Sequence, residues 1–198
     1  MAAMVATTTL TGVTAASAAD TMNWVYRAYG STVDKAVAAV QALKATYGGT
    51  RCAGVSAGGT PIGFGYEAGM SCQIPTFSTQ NMLYWSFGAS GNTADSAEAA
   101  ALEIARKSGG PGTTMCSAFG DSITVDGGFV MSIRCYVPKI DVDQYLLWPY
   151  LGAGTTIDSA MNSAVAGIGS GDRFCTGGRA TPTQDGNWKT GIQCYTPK

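Results

Sequence analysis

The sequence predicts an α+β fold of three tandem strand-helix-β-hairpin repeats, each closed by one internal disulfide, with an extended N-terminal arm. Three observations predict it. Six cysteines fall into three successive pairs with 19, 18 and 18 residues between partners, and a proline follows each pair's second cysteine by three positions. An aromatic stretch and a Thr-x-Asp motif precede each pair, and the last seven residues, IQCYTPK, nearly copy IRCYVPK at 133–139. We therefore place repeats at 22–76, 82–139 and 145–198.

Each repeat opens on an aromatic stretch that predicts a β-strand, because aromatic residues fit a half-buried pleated surface. The three stretches read MNWVYRAYG, MLYWSFGAS and YLLWPYLGA. Their tryptophans, Trp24, Trp85 and Trp148, are weak binding candidates, since exposed Trp and Tyr are typical of glycan platforms and protein interfaces. Their recurrence at equivalent positions favours packing between helix and hairpin and against the next repeat.

A helix follows each strand. A threonine precedes an Ala-rich run with apolar residues at helical spacing, and its hydroxyl suits an N-cap. An aspartate in the first turn complements the helix dipole, and a glycine is expected to end each helix in the left-handed conformation. These residues are Thr32, Thr93 and Thr156 at the caps, Asp34, Asp95 and Asp158 in the first turns, and Gly48, Gly109 and Gly171 near the ends.

A β-hairpin completes each repeat, because the pattern changes to period two around a turn signal. The expected turns are Gly58-Gly59, Asp126-Gly127-Gly128 and Asp185-Gly186-Asn187. Two strands of about eight residues then bring the two cysteines of a repeat opposite each other, at a separation that a disulfide spans. The expected disulfides are Cys52–Cys72, Cys116–Cys135 and Cys175–Cys194. Free thiols or zinc are the alternatives, and the absence of CxxC and histidine weakens zinc.

Disulfides indicate an oxidising location, either extracellular or on a virion surface. Residues 1–21 lie outside the repeats, and we interpret them as an N-terminal arm that could add a strand to the sheet edge of a neighbouring subunit. A signal-like segment ending near Ala16-Ser17-Ala18 is the alternative. We favour the arm, because no basic residue precedes that site and threonines interrupt its apolar run.

Composition argues against several functions. The chain has no histidine, a net charge of −1 and 13% charged residues. No paired carboxylates or phosphate loop stand out, so we expect no enzyme, cofactor, metal or catalytic residue. No basic stripe indicates nucleic acid, and no apolar run is long enough for a membrane span. Glu98 and Glu103 are interpreted as surface charges beside Arg106 and Lys107.

The expected function is that of a non-enzymatic structural protein of an extracellular assembly. A virion (phage) decoration, fibre or tail component that self-associates through its N-terminal arm is favoured, with partners that are further copies or other capsid or filament subunits. The alternative is a secreted or cell-surface filament subunit, or an adhesin or glycan-binding module, of a bacterium. A surface glycan would then bind near Trp188 and Lys189, beside the polar turn of the third repeat.

Overall fold

The structure, a computed structural model, describes residues 20–60, 65–123 and 128–198, without the side chains of 121–123. It contains three α-helices, three antiparallel sheets and three disulfides, which confirms the mixed α+β class. Residues 1–19, which make up nearly all of the expected N-terminal arm, lie outside the described part. Among the described residues, no helix combines the length and apolar character needed to cross a bilayer.

Each sheet places the last strand of its segment between two others, and the helix follows the first strand. The first sheet, in the order β1-β3-β2, comprises β1 (Thr21–Gly30), β2 (Ser56–Gly59) and β3 (Tyr66–Pro75), with α1 (Val33–Tyr47). The second, in the order β4-β6-β5, comprises β4 (Met82–Gly91), β5 (Thr114–Ile123) and β6 (Phe129–Pro138), with α2 (Ala94–Ser108). The third, in the order β7-β10-β8 with β9 paired to β10, comprises β7 (Tyr145–Gly154), β8 (Arg173–Gly177), β9 (Thr181–Pro182) and β10 (Trp188–Pro197), with α3 (Ile157–Ala166). A 3-10 helix at Val142–Gln144 precedes β7.

The three sheets stand in a row. Each helix packs on its own sheet, β1 of the first sheet contacts β5 of the second, and β4 of the second contacts β8 of the third. The strands therefore follow the order β2-β3-β1, β5-β6-β4, β8-β10-β7. The row ends at β2 on one side and at β7 on the other.

Glycine allows each helix to fold back closely on its preceding strand. A Cβ added to Gly30 would lie 2.5 Å from the backbone nitrogen of Ala36, and one added to Gly91 would lie 2.5 Å from that of Ala97. Neither glycine has a left-handed φ, so the requirement is steric. The close approach buries the small residues of the helix against the strand.

Threonine caps begin all three helices as the sequence predicts. The hydroxyls of Thr32, Thr93 and Thr156 accept from the backbone N–H three residues later at 3.1–3.3 Å. Asp34, Asp95 and Asp158 occupy the first turns. This arrangement satisfies a backbone donor that the helix leaves without a partner.

The predicted helix ends are partly wrong. Gly48 caps α1 with a φ of 83°, as expected. Gly109 caps α2 in the right-handed region, because the reversal comes one residue later at Gly110, whose φ is 84°. The third helix ends at Ala166 with Gly167 as its cap rather than near Gly171, because the sequence Gly167-Ile168-Gly169 stops it early.

The turn predictions have mixed outcomes. Gly58-Gly59 lies inside β2 and pairs with β3, so that prediction is wrong; the N–H of Thr60, directly after β2, donates to the carbonyl oxygen of Gly65. The predicted turn at Asp185-Gly186-Asn187 is confirmed, with Gly186 at a φ of 78°. Most of Asp126-Gly127-Gly128 lies outside the described residues.

The disulfides join Cys52 to Cys72, Cys116 to Cys135 and Cys175 to Cys194, with Cα–Cα separations of 4.0, 4.1 and 4.0 Å. Each bond links the middle strand of a sheet to the segment after its helix. Five of the six cysteines are buried, and Cys52 is half-buried. The bridges therefore belong to the core of each sheet.

Candidate association surface

Polar contacts hold the first sheet against the second helix. The N–H of Ser31 donates to Asp95 Oδ1 at 3.2 Å, and Lys35 Nζ lies 2.9 Å from Asp95 Oδ2. Burial would raise the pKa of Asp95, but the hydrogen bonds from Lys35 and Ser31 outweigh it and lower the pKa to about 2. Asp95 is therefore charged, and it binds the backbone of the residue that follows β1.

Glu98 is buried at the same interface, which overturns its interpretation as a surface charge. It is 2% exposed, and its Oε2 accepts from the N–H of Tyr29 at 2.6 Å. Its Oε1 has no hydrogen-bond partner among the described residues. Burial, with a smaller contribution from Asp95, raises the pKa of Glu98 to about 8.

One sequence signal could have revealed this burial. Position 98 aligns with Val37 and Met161, which are apolar, when the three Thr-x-Asp motifs are superposed. An acid at a position that is otherwise apolar is a candidate for burial. Glu103, by contrast, forms an exposed ion pair with Arg106, as the sequence suggests.

Similar contacts join the second sheet to the third. The N–H of Asn92 donates to Asp158 Oδ1 at 2.8 Å, and its Nδ2 donates to Oδ2 at 3.0 Å. The strands come closest at Gly88 and Gly177, where a Cβ added to Gly177 would lie 2.5 Å from the carbonyl oxygen of Gly88. An aspartate at a helix start therefore contributes to this interface too, and here two strands also approach closely at glycines.

Two of the candidate tryptophans lie between sheets. Trp24 contacts Tyr84 and Tyr136 of the second sheet, with ring centroids 6.5 and 5.9 Å apart. Trp85 stacks on Phe174 of the third segment at 5.1 Å. Both tryptophans are half-buried, and neither indole N–H has a hydrogen-bond partner among the described residues. Aromatic packing between sheets therefore accounts for both side chains.

The third candidate, Trp148, is exposed. It lies on β7 at the end of the row, together with three exposed leucines. We call these four residues the β7 patch: Leu146 is 54% exposed, Leu147 58%, Trp148 55% and Leu151 80%. Leu146 and Trp148 lie on one face of the strand and Leu147 and Leu151 on the other, so the exposed apolar surface follows both sides of this strand, as is typical of an interaction site.

The strand that carries the patch is also an open edge. Among the described residues, β7 pairs only with β10. Its other side therefore offers backbone groups to a partner, except at Pro149, which has no N–H to donate. An exposed, apolar, ten-residue edge strand favours association with another polypeptide.

The opposite end of the row is less apolar. We call it the α1–β2 face and define it by Val33, Asp34, Val37, Arg51 and Gly54. Val33 is 40% exposed, Val37 is half-buried, and Asp34, Arg51 and Gly54 are exposed. A shallow groove of about 530 Å³ continues from this face over the outer side of the first sheet, past Arg27 and Glu67.

The remaining binding candidates lie apart from the β7 patch. Trp188 is half-buried opposite Gly154 and Pro182, and Lys189 is exposed. Trp148 pairs with Cys194 at the other end of the same strand pair, about 20 Å from Trp188 at the usual strand rise. The structure therefore does not join Trp188 and Trp148 in one site.

One cluster has the residue types of a metal site. The ligand atoms of Asp172, Cys175 and Cys194 lie within 4.8 Å of one another and are buried. The two sulfurs are bonded to each other, so neither is a thiolate. The oxygens of Asp172 accept from the N–H of Gly169 and the hydroxyl of Thr196, both at 2.7 Å. The carboxylate thus has a structural role at the end of α3.

Comparisons with known protein families, curated proteins and solved structures find no match to the chain. The three disulfides fit a secreted or extracellular protein, because such bonds persist in oxidising surroundings.

Proposed function

We propose that the chain is a non-enzymatic structural subunit of an extracellular assembly, built from three copies of one strand-helix-hairpin module. The shared sheet order and the position of each disulfide support three modules. So does a rare backbone conformation. The residue before the first cysteine of each module, Arg51, Met115 and Phe174, has a φ of 47–52°. Non-glycine residues seldom adopt such values, so their recurrence at matching positions favours a common origin.

The β7 patch carries the proposal of self-association. Leu151 is 80% exposed, on an edge strand with three other exposed apolar residues. A stack of modules needs a polar outer face at each end to remain monomeric in water, and the β7 end lacks one. Covering this patch would remove apolar surface from water and complete the edge of the sheet.

More specifically, we propose that the assembly is a virion and that the chain is its decoration, fibre or tail component. The disulfides, the low charge and the exposed edge support an extracellular subunit packed against others. A role for the N-terminal arm in assembly belongs to the same proposal, and its residues fall almost wholly outside the described range. A bacterial filament subunit or a glycan-binding adhesin is the second candidate. The groove beside Arg27 and Glu67 favours glycan binding, because it offers polar side chains in a shallow cleft.

Sedimentation velocity over a dilution series tests self-association. We expect the wild-type chain to sediment as species larger than the 20.3 kDa monomer, and Leu151→Glu to shift it towards the monomer. Val142→Glu is the matched control, because Val142 is an apolar residue 51% exposed outside β7. A wild-type chain that remains monomeric throughout the series would contradict the proposal. A glycan array tests the second candidate.

A further inference from the structure

We infer that the β7 patch of one copy docks on the α1–β2 face of a second copy, so that copies join head to tail. This inference rests on the proposed function and specifies its partner and geometry. The structure already contains two interfaces of the same kind, between the first and second modules and between the second and third. The two outer surfaces of the row are the unpaired halves of a third such interface.

The polar contacts of the two internal interfaces predict one contact between copies. The residue after the first strand donates its N–H to the aspartate of the next helix, from Ser31 to Asp95 and from Asn92 to Asp158. The equivalent residue in the third module is Thr155, and the equivalent aspartate in the first module is Asp34. Both are exposed. Docking of two copies would bring the N–H of Thr155 to the carboxylate of Asp34.

The apolar contacts follow the same alignment. In α3, Ile157 and Met161 are 3% and 0% exposed, and α3 packs against β4 of the preceding module. The equivalent residues of α1 are Val33 and Val37, which are 40% exposed and half-buried, respectively, because none of the described residues covers them as β4 covers α3. Three residues of α1 are buried, whereas α2, of the same length, has eight. Helix α1 therefore presents the apolar positions that its counterparts bury between modules.

The tryptophan contacts also have a counterpart. Trp85 stacks on Phe174, the residue before the first cysteine of the next module. The equivalent pair across two copies is Trp148 and Arg51. An arginine guanidinium over an indole ring forms a favourable cation–π contact, so Arg51 suits this position.

Backbone packing provides a fourth contact. Gly177 presses against Gly88 of the preceding module, whereas a Cβ added to the equivalent Gly54 meets no atom within 4 Å. The residue equivalent to Gly88 in the third module is Leu151. The interface between the first two modules has Arg27 at the position of Gly88, with its side chain about half exposed, so this position accepts a long side chain and Leu151 can lie over Gly54. The contact joins two different surfaces, so repeating it produces a filament, or a ring if the rotation closes.

Two point variants test this geometry. Leu151→Glu alters one surface and Gly54→Glu the other, and both positions are exposed with room for the new side chain. Circular dichroism and the thermal midpoint establish that each variant folds. We expect each variant alone to raise the apparent dissociation constant at least about 100-fold, because a carboxylate would be buried without a partner. Mixed together, the two variants should form a dimer that grows no further, because each retains one intact surface.

The alternatives give different results. If Gly54→Glu associates like the wild type while Leu151→Glu does not, β7 pairs with something other than the α1–β2 face, and the inference is wrong although self-association stands. If both variants associate like the wild type and a chain lacking residues 1–19 does not, the N-terminal arm is the contact and the inference is again wrong. A wild-type chain that is monomeric at every concentration overturns the proposed function itself.

Discussion

Replacing Glu98 with glutamine should change how stability depends on pH. The pKa of Glu98 is about 8 in the folded chain, against an ordinary value of 4.5. The folded state therefore holds the proton more tightly than the unfolded state. Its contribution to stability is fully present below pH 4.5 and is lost as the pH rises to 8. The groups that face Glu98 are the N–H of Tyr29 and the carboxylate of Asp95.

The magnitude follows from the difference in pKa. Each pKa unit corresponds to about 1.4 kcal/mol, so the loss by pH 9 is on the order of 3–5 kcal/mol. Glutamine has the same shape and carries no charge. Its carbonyl can accept from Tyr29, and its amide leaves a buried donor unpaired much as the protonated acid does. We therefore expect similar stability for both proteins near pH 4.5, and a more stable Glu98→Gln at pH 9.

The assay is guanidinium unfolding followed by tryptophan fluorescence at pH 4.5, 7 and 9, without reductant. Glu103→Gln is the matched control, because Glu103 is partly exposed and pairs with Arg106, which lowers its pKa. Its effect should stay below about 1 kcal/mol. A difference between wild type and Glu98→Gln that is constant across pH would refute the assignment of a buried, protonated glutamate.

Three further predictions concern the interface, the disulfides and the helix contacts. Arg51→Phe should strengthen association a few-fold, because it would let Trp148 of one copy stack on residue 51 of the next as Trp85 stacks on Phe174. A smaller fraction of large species than in the wild type, measured by sedimentation velocity, would contradict the alignment of the modules. Replacing both Cys116 and Cys135 with alanine should lower the free energy of unfolding by about 3 kcal/mol or more, measured by denaturant titration, and an unchanged value would show that this bridge is dispensable. Gly91→Ala should cost at least about 2 kcal/mol in the same titration, because its Cβ would meet the backbone of α2; equal effects of Gly91→Ala and the open-site control Gly54→Ala would contradict the steric argument.

Local features could be predicted well from the sequence. The N-caps, the aspartates of the first turns and the cysteine pairs depend on residues close along the chain, or on a spacing that repeats three times. The errors are also local in origin. Gly58-Gly59 resembles a turn, yet pairing with β3 draws it into a strand. The third helix has a glycine at 167 that stops it before the expected Gly171.

Burial between sheets could not be predicted in the same way. Trp24, Trp85 and Trp148 occupy equivalent positions in similar stretches, but of these three only Trp148 is exposed, because it lies on the edge strand β7, which no other sheet of the described residues covers. Glu98 has the neighbours of a surface residue along its helix, and the strand that covers it belongs to the first sheet. Both properties depend on the order of the row rather than on local sequence.

Photo-crosslinking tests head-to-tail docking most directly. The photoreactive residue p-benzoylphenylalanine replaces Leu151, the assembled protein is irradiated, and mass spectrometry identifies the joined peptides in a mixture of isotopically labelled and unlabelled chains. We predict that position 151 of one copy is joined to residues 52–59 of another. Crosslinks between copies that instead reach β7 or residues 1–19 would contradict the proposed arrangement.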